Sequence, residues 1–382
     1  MTLSKVALIR CESYDPAEVK AGLERGLELL GGAAQFAKPG EKILLKPNLL
    51  AADPPEKCTT THPAVFQGVA EIFQSLGAVV SYGDSPAIHR PENAAQKAGL
   101  FAVAEKLNVP LADFVHGEEV HFPEGIQNKK FTVAKGVLES DGVISLPKLK
   151  MHALTRMTGS IKNQFGCVPG TLKAEFHAKL PDPHRFAAML VDLCRFVKPR
   201  LYVMDGVIAM EGNGPRGGVP KKMNVLLLSS DPVALDATVC RIIKLDPTFV
   251  PTMKPAQECG FGSYLEKDIE LLGEDLASFY PDKFDVKREP IVAAPLSGRF
   301  LKVMRAIVLP RPQIIARSCI RCGVCVQACP VPSKAVDWET RNSPPVYHYD
   351  RCIRCYCCQE LCPQSAIKVK DTLLGKLIFR RK

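Results

Sequence analysis

No apolar run in this sequence reaches the ~18 residues that a membrane-spanning helix requires, and Met1 to Cys11 reads as a strand rather than a signal segment. The phosphate-binding pattern G-x-x-x-x-G-K-S/T is missing, and so is G-x-G-x-x-G in a strand–turn–helix context, because the glycines of 212–218 lead into a strand. A P-loop or dinucleotide site of the usual kind is thereby excluded. No basic stretch is interleaved with aromatics, so base stacking on single-stranded nucleic acid has no support, and nucleic acid is not an expected partner. The sequence also lacks a disulfide pattern: of 15 cysteines, the seven outside one C-terminal repeat have no pairing order. These absences point to a cytoplasmic protein in a reducing, oxygen-poor compartment.

What is present is ordinary in bulk and uneven in placement. With 382 residues, 46% hydrophobic and 24% charged, the chain can build two or three globular domains. Residues 1–280 hold 31 Lys and Arg against 32 Asp and Glu, which leaves 19 against 8 for residues 281–382. Bound groups of negative charge would offset part of the basic excess. The remainder suits an acidic redox partner, whose encounter rate it would raise, or an anionic membrane surface touched peripherally.

The excess surrounds a duplicated unit. Cysteines fall as Cys319-x2-Cys322-x2-Cys325-x3-Cys329-Pro330 and again, 33 residues later, as Cys352-x2-Cys355-x2-Cys358-x3-Cys362-Pro363. Two-residue gaps let one tight loop present three sulfurs to a cubane cluster, and the fourth thiolate comes from the other repeat. The spacing therefore assigns Cys319, Cys322, Cys325 and Cys362 to one 4Fe–4S cluster and Cys352, Cys355, Cys358 and Cys329 to a second. Structural zinc sites take two well-separated pairs and fit this order poorly. The repeat resembles the bacterial-type two-cluster ferredoxins, which implies a small α+β domain over 314–370. Cys357, outside the register, reads as a packed thiol beside the cluster.

Upstream, short apolar runs alternate with amphipathic helical stretches, the pattern of an open, mostly parallel α/β sheet with helices on both faces. Expected strands are Val6–Cys11, Lys42–Leu45, Val79–Tyr82, Thr132–Val137, Gly142–Leu146, Leu201–Met204 and Val225–Leu228. Expected helices include Pro16–Leu29 capped by Asp15, Ala64–Leu76, Asn93–Leu107, Arg185–Phe196 and a helix to Lys244 capped by Asp231. In such sheets the ligand crevice lies outside the carboxyl ends of the strands. Lys46, Asn48, Asp84, Ser85, Lys148, Lys150, His152, Asp205, Glu211 and Asp231 follow strands, and their repetition argues for a site, although each alone has a structural reading. Lys46, Asp84, Lys148, His152 and Asp205 are the candidate catalytic residues. Asn48, Lys150, Lys162, Asn163 and Glu211 are candidates for binding a cofactor or small anionic ligand, with His62 and His177 as further proton donors or ligands. The Gly-rich loop 212–218 is a backbone phosphate cradle or a wide turn.

Lys46-Pro47-Asn48, Thr61-His62-Pro63, Gly83-Asp84-Ser85-Pro86, Pro147-Lys148-Leu149-Lys150-Met151-His152, Thr158-Gly159 through Lys162-Asn163 to Gly166, and Asp205-Gly206 through Glu211-Gly212-Asn213-Gly214-Pro215 together resemble the family named domain of unknown function 362. That family is often joined to a two-cluster ferredoxin module. The resemblance implies one α/β body over 1–280 and supports the choice of site residues, but carries over no reaction. Residues 281–313 read as a basic, Pro-containing linker with an amphipathic helix at Leu296–Leu309, and 371–382 as a basic amphipathic tail. The expected function is an iron–sulfur oxidoreductase, in which two 4Fe–4S clusters pass low-potential electrons to an anionic substrate or cofactor in the body, with a flavin or further metal left open. The alternative is a non-enzymatic electron carrier or cluster- or metal-transfer accessory protein docking on another enzyme.

Overall fold

The computed structural model describes residues 3–86, 88–291 and 308–373. The strands are β1 (Ser4–Arg10), β2 (Lys42–Pro47), β3 (Val79–Tyr82), β4 (Gly117–His121), β5 (Lys130–Ala134), β6 (Gly142–Leu146), β7 (Lys148–His152), β8 (Arg156–Met157), β9 (Leu201–Glu211), β10 (Val219–Ser229) and β11 (Ile269–Gly273), followed by β12 (Arg311–Ile314), β13 (Val336–Asp337), β14 (Val346–Tyr347) and β15 (Ile367–Lys370). The main sheet runs β11-β1-β10-β9-β6-β2-β3, with β7 added on β9 and β8 on β7. Pairing is parallel at β11–β1, along β9–β6–β2–β3 and at β7–β9. It reverses on both sides of β10 and at β7–β8.

Alternation along each strand divides the apolar residues between two cores. Val6, Leu8, Leu44, Val225 and Leu227 face one, packed under helices Pro183–Val197 and Pro232–Ile242. Ala7, Ile9, Ile43, Leu45, Leu226 and Leu228 face the other, under helices Pro16–Leu29 and Pro63–Ser75. A sheet buried on both faces in this way explains why its strands read as continuous apolar runs. Asp15 and Asp231 cap their helices by accepting from two backbone amides each, so Asp231 is a cap rather than a site residue.

Several expectations need correction. The run expected as one helix over Asn93–Leu107 is two, Pro91–Lys97 and Leu100–Leu107, separated at Gly99, whose φ of 77° breaks the helical path. The strand expected at Thr132–Val137 ends at Ala134 and pairs only with β4, outside the main sheet. β9 and β10 run to 11 residues each, longer than their apolar cores, because they form a hairpin across the Gly-rich loop. β11 lies on the sheet edge and its alternation is only half apolar, so it gave no sequence signal.

The stretch read as a linker begins on the body. Phe284 is buried in its core, and Arg288 donates to the Ile243 and Lys244 carbonyls. Most of the amphipathic helix expected at Leu296–Leu309, and of the tail expected at 371–382, lies outside the described residues. Among the described residues, no helix is long and apolar enough to cross a membrane. In the C-terminal module β12 pairs with β15 and β13 with β14, and the cysteines gather in a small core with Ala335, Val336, Ala366 and Ile367.

Candidate functional site

β6 and β7 are separated only by Pro147, so the chain stays extended from Gly142 to His152 and Lys148, Lys150 and His152 fall at alternate positions. All three are buried, as are Lys46 at the end of β2, Asp84 after β3, and Asp205 in β9. Burying this much charge requires partners, and the structure supplies them in two hydrogen-bonded networks rather than one.

In the first, Lys46 Nζ lies 2.9 Å from Asp84 Oδ1 and donates to Asn163 Oδ1 and the Pro47 carbonyl. Asn163 Oδ1 also accepts from Asn48 Nδ2, and its amide donates to Ser145. Asp84 accepts from the amides of Leu49 and Ser85. Gly166 is required here because a Cβ on it would lie 1.7 Å from Asp84 Oδ1. In the second network, Lys148 Nζ donates to Asp205 Oδ2 at 2.7 Å and to the Tyr14 hydroxyl at 2.8 Å. Asp205 also accepts from the Tyr14 hydroxyl and the His62 amide, and the Tyr14 and His62 rings stack at 3.5 Å. This second network ties the N-terminal loop, the 58–62 loop, β7 and β9 together and saturates its own charges. The expectation that Lys148 and Asp205 share one ligand with Lys46 and Asp84 is corrected to that extent.

Lys150, His152 and Lys162 belong with the first network and with a residue from the far end of the chain. Glu360, in the turn between Cys358 and Cys362, reaches into the body so that its Oε2 lies 3.5 Å from His152 Nε2. His152 Nδ1 accepts from the Leu154 amide, so its proton is on the nitrogen facing Glu360. Burial would raise the Glu360 carboxyl, but Lys162 and His152 hold it well below the usual carboxylate range. Burial, assisted by Lys162, pushes Lys150 down to about 7 and His152 down to about 4. Lys150 Nζ donates to the Thr59 carbonyl, whereas Lys162 Nζ makes no hydrogen bond or ion pair among the described residues and lies 5.6 Å from the Phe165 ring centre.

Two members gave no strand-end signal in the sequence. Lys173, in helix Leu172–Lys179, is buried with only the Ser85 hydroxyl and the Val168 carbonyl as partners, and burial brings it to about 7. His177, named above as a further proton donor or ligand, lies one turn on in that helix, stacks on Phe186 and is pushed by burial to about 3. Four buried lysines thus lie around two carboxylates, Asp84 and Glu360. Asn48 Oδ1, the hydroxyls of Thr59, Thr60 and Thr158, and His177 Nδ1 are buried there or nearby without hydrogen-bond partners among the described residues. Native interiors rarely leave so many polar atoms unpaired unless water or a ligand completes them.

Glu211 is committed elsewhere, since its carboxylate accepts from the Asp285 amide. The Gly-rich loop is not a phosphate cradle but the docking surface for the C-terminal module. Gln359 donates to the Asn213 and Gly214 carbonyls, Asn213 to the Ile367 carbonyl, and Arg216 to the Leu361 carbonyl. Arg216 also forms a two-pronged, buried pair with Asp53, at 2.7 and 2.9 Å. Burial would raise Asp53, but Arg216 outweighs it and keeps the carboxylate charged.

The cysteine module fits iron–sulfur ligation. None of its thiols is in a disulfide. A small cavity is lined by Cys319, Cys322 and Cys325 together with Cys362 from the other repeat. Backbone amides of Ala335 and Ala366 donate to the sulfurs of Cys329 and Cys362, and the Tyr347 hydroxyl donates to that of Cys358 at 3.2 Å, as suits thiolate ligands.

A profile of the family described as Domain of unknown function (DUF362) matches residues 43–241, and one described as 4Fe-4S dicluster domain matches residues 311–363. The thylakoid-associated protein of Synechocystis sp. is 38% identical over 259 residues, which cover 68% of this chain and 80% of that protein. Two solved structures share 11% identity: the lactate racemase apoprotein from Thermoanaerobacterium thermosaccharolyticum (TM-score 0.40, 64% of this chain) and a Thermotoga maritima protein (TM-score 0.38, 59% of this chain). The chain spans 57% of the length of each. The C-terminal module is an iron–sulfur module.

Proposed function

Because this chain belongs to the domain of unknown function 362 family and carries an iron–sulfur module, we propose that it is an oxidoreductase component that passes single electrons from two 4Fe–4S clusters to a small anion held in the body. Cys319, Cys322, Cys325 and Cys362 hold the first cluster and Cys352, Cys355, Cys358 and Cys329 the second. When bound, such clusters supply one-electron transfer, over potentials of roughly −700 to +450 mV across the known types. The observation that carries the reading is the position of Glu360: the turn that presents ligands of both clusters also places a carboxylate beside His152 and Lys162 of the buried lysine cluster.

The residues of this buried cluster divide the remaining work. Lys46, Asp84, Asn48 and Asn163 form a rigid floor. Lys150, Lys162 and Lys173 provide the excess positive charge that an anion neutralises, and a buried cationic excess binds an anion more strongly than an exposed one because water does not screen it. Lys150, titrating near neutrality, gives or takes a proton as the ligand changes charge. His152 is neutral and offers its Nε2 proton. Lys148 and Asp205 hold the loops beside the buried cluster and do not touch the ligand.

The test is an anaerobic titration of the reduced protein with phosphate, bicarbonate, acetate and succinate, read by electron paramagnetic resonance. A saturable change in the signal of one cluster is expected, lost in Lys162→Ala with iron content retained. Iron near eight per chain, no flavin or further metal, and no response to any anion would sink the enzyme reading in favour of an electron carrier. The basic excess after residue 280, and the thylakoid association of the Synechocystis relative, support peripheral contact with an anionic membrane, which flotation with phosphatidylglycerol vesicles tests.

A further inference from the structure

The two cysteine quartets are placed differently with respect to solvent. Of the first, Cys322 is exposed and Cys319 is half-buried. Of the second, Cys329, Cys352 and Cys358 are buried, and the helix Cys357–Glu360 is turned onto the Gly-rich loop of the body through Gln359. Electron transfer falls steeply with distance, so a protein that exchanges electrons with this module must come close to a quartet. Among the described residues Cys322 is the exposed ligand, and in the second quartet only Cys355 is partly exposed, so the corner at Cys322 offers the closest approach.

That corner has the make-up of an interface. Ile320, immediately before it, is 58% exposed. Trp338 lies against the turn, since a Cβ on Gly323 would sit 3.5 Å from its ring, and the Arg341 guanidinium lies over that ring at 5.1 Å. Arg317 and Arg321 are exposed on the same turn region, and Arg321 is steadied by the Asn342 carbonyl. An exposed aliphatic beside a tryptophan, framed by arginines, is the composition that protein interfaces favour over the remaining surface. Asp337 and Glu339 flank Trp338, but the domain's surplus is basic, with 19 Lys and Arg against 8 Asp and Glu in residues 281–382.

We infer that the face formed by Arg317, Ile320, Arg321, Trp338 and Arg341 is the docking site of an acidic one-electron carrier protein of the ferredoxin class, and that electrons arrive at the first quartet before reaching the second. The inference rests on the reading that the module feeds the body. One electron leaves the reduced carrier, which is oxidised by one unit, and the module is reduced by one unit. No bond forms or breaks and no proton moves at this step. The second quartet, whose helix is held on the Gly-rich loop by Gln359 and reaches the lysine cluster through Glu360, is the inner station.

The experiment uses the full-length, cluster-loaded protein under anaerobic conditions, with a reduced acidic 2Fe–2S ferredoxin as the probe and stopped-flow bleaching of the cluster absorbance as the readout. Dithionite, a small reductant that needs no docking face, serves as the reference. Arg317→Glu with Arg341→Glu is expected to slow reduction by the ferredoxin about tenfold or more and to flatten its dependence on salt, because complementary charge acts mainly on encounter rate. Iron content and the dithionite rate should stay at the unsubstituted values. An unchanged ferredoxin rate would overturn the inference. So would an equal slowing with dithionite, or an unchanged ferredoxin rate combined with lost binding to anionic vesicles, which would assign the face to lipid. The anion-dependent change in the cluster signal is read separately, in the unsubstituted protein and without the ferredoxin, so failure of the anion reading and failure of the docking face are told apart.

Discussion

Replacing Lys148 with Met separates a structural from a catalytic role for the buried pair in β7 and β9. The Lys148 ammonium and the Asp205 carboxylate are both within 1% of full burial and lie 2.7 Å apart. Methionine fills nearly the volume of the lysine stem, so the change removes charge without opening a cavity. Removing one partner of a buried ion pair typically costs 3–5 kcal/mol, because the other charge is left uncompensated. Asp205 would keep the Tyr14 hydroxyl and the His62 amide as donors, which puts the expected loss near the low end, about 3 kcal/mol. Adding Asp205→Asn removes the stranded charge while keeping an acceptor for those donors, and should recover about 1–2 kcal/mol of that loss. The assay is anaerobic urea unfolding followed by circular dichroism, with anion titration of the folded variants alongside. Iron content and anion affinity should stay close to those of the unsubstituted protein. A stability loss below about 1 kcal/mol together with abolished anion binding would refute the reasoning and return Lys148 to the ligand site.

Burial holds Lys150 and Lys173 at about 7, against about 10.4 in an unfolded chain. Between those values the unfolded chain binds more protons, so the body should gain stability as pH rises from about 7 to 10. Anion affinity should run the other way, falling as pH rises through about 7, with proton uptake on binding at pH 8; equal calorimetric enthalpies in buffers of different ionisation heat would contradict this. Arg216→Ala strands Asp53 in the interface with only Lys57 nearby, and is expected to weaken docking by about 3 kcal/mol. Faster amide exchange in residues 211–216 and 359–367 would register it, and unchanged exchange would count against the lock. Tyr347→Phe removes a hydrogen bond to the Cys358 sulfur and should shift the potential of the second cluster negative without moving the first, as read by potentiometric spectroscopy; equal shifts in both would dissociate Tyr347 from that cluster.

Much of the site was legible because its residues follow strands. Lys46, Asp84, Lys150 and His152 stand where a parallel sheet ends, and a polar residue after an apolar run is visible without coordinates. The cysteine repeat was legible because ligand geometry imposes its spacing. Lys173 was hidden by an ordinary helical context, with a basic last turn that usually means solvent, whereas His177 was named as a candidate without its place in that helix being seen. Glu360 was hidden for a different reason: its role depends on a fold-back of some two hundred residues, which no local pattern encodes. The Gly-rich loop was ambiguous because the same lack of side chains suits a phosphate and a docked protein backbone. Lys148 and Asp205 looked catalytic for the reason that they pair: both are strand residues at facing register, Lys148 opposite Asp205, and register between distant strands cannot be read from either alone.

The insertion of Glu360 makes two measurable quantities interdependent. On the proposed reading, an electron added to the module would add a unit of negative charge beside the buried lysine cluster, so reduction would lower its affinity for an anion. Around a closed thermodynamic cycle the free energies must balance. The occupied protein is therefore harder to reduce than the empty one, by the same factor by which reduction weakens binding. If the proposed function holds, the abundance of the anion would set the voltage at which this protein accepts charge, and a reduced carrier pool would release the anion.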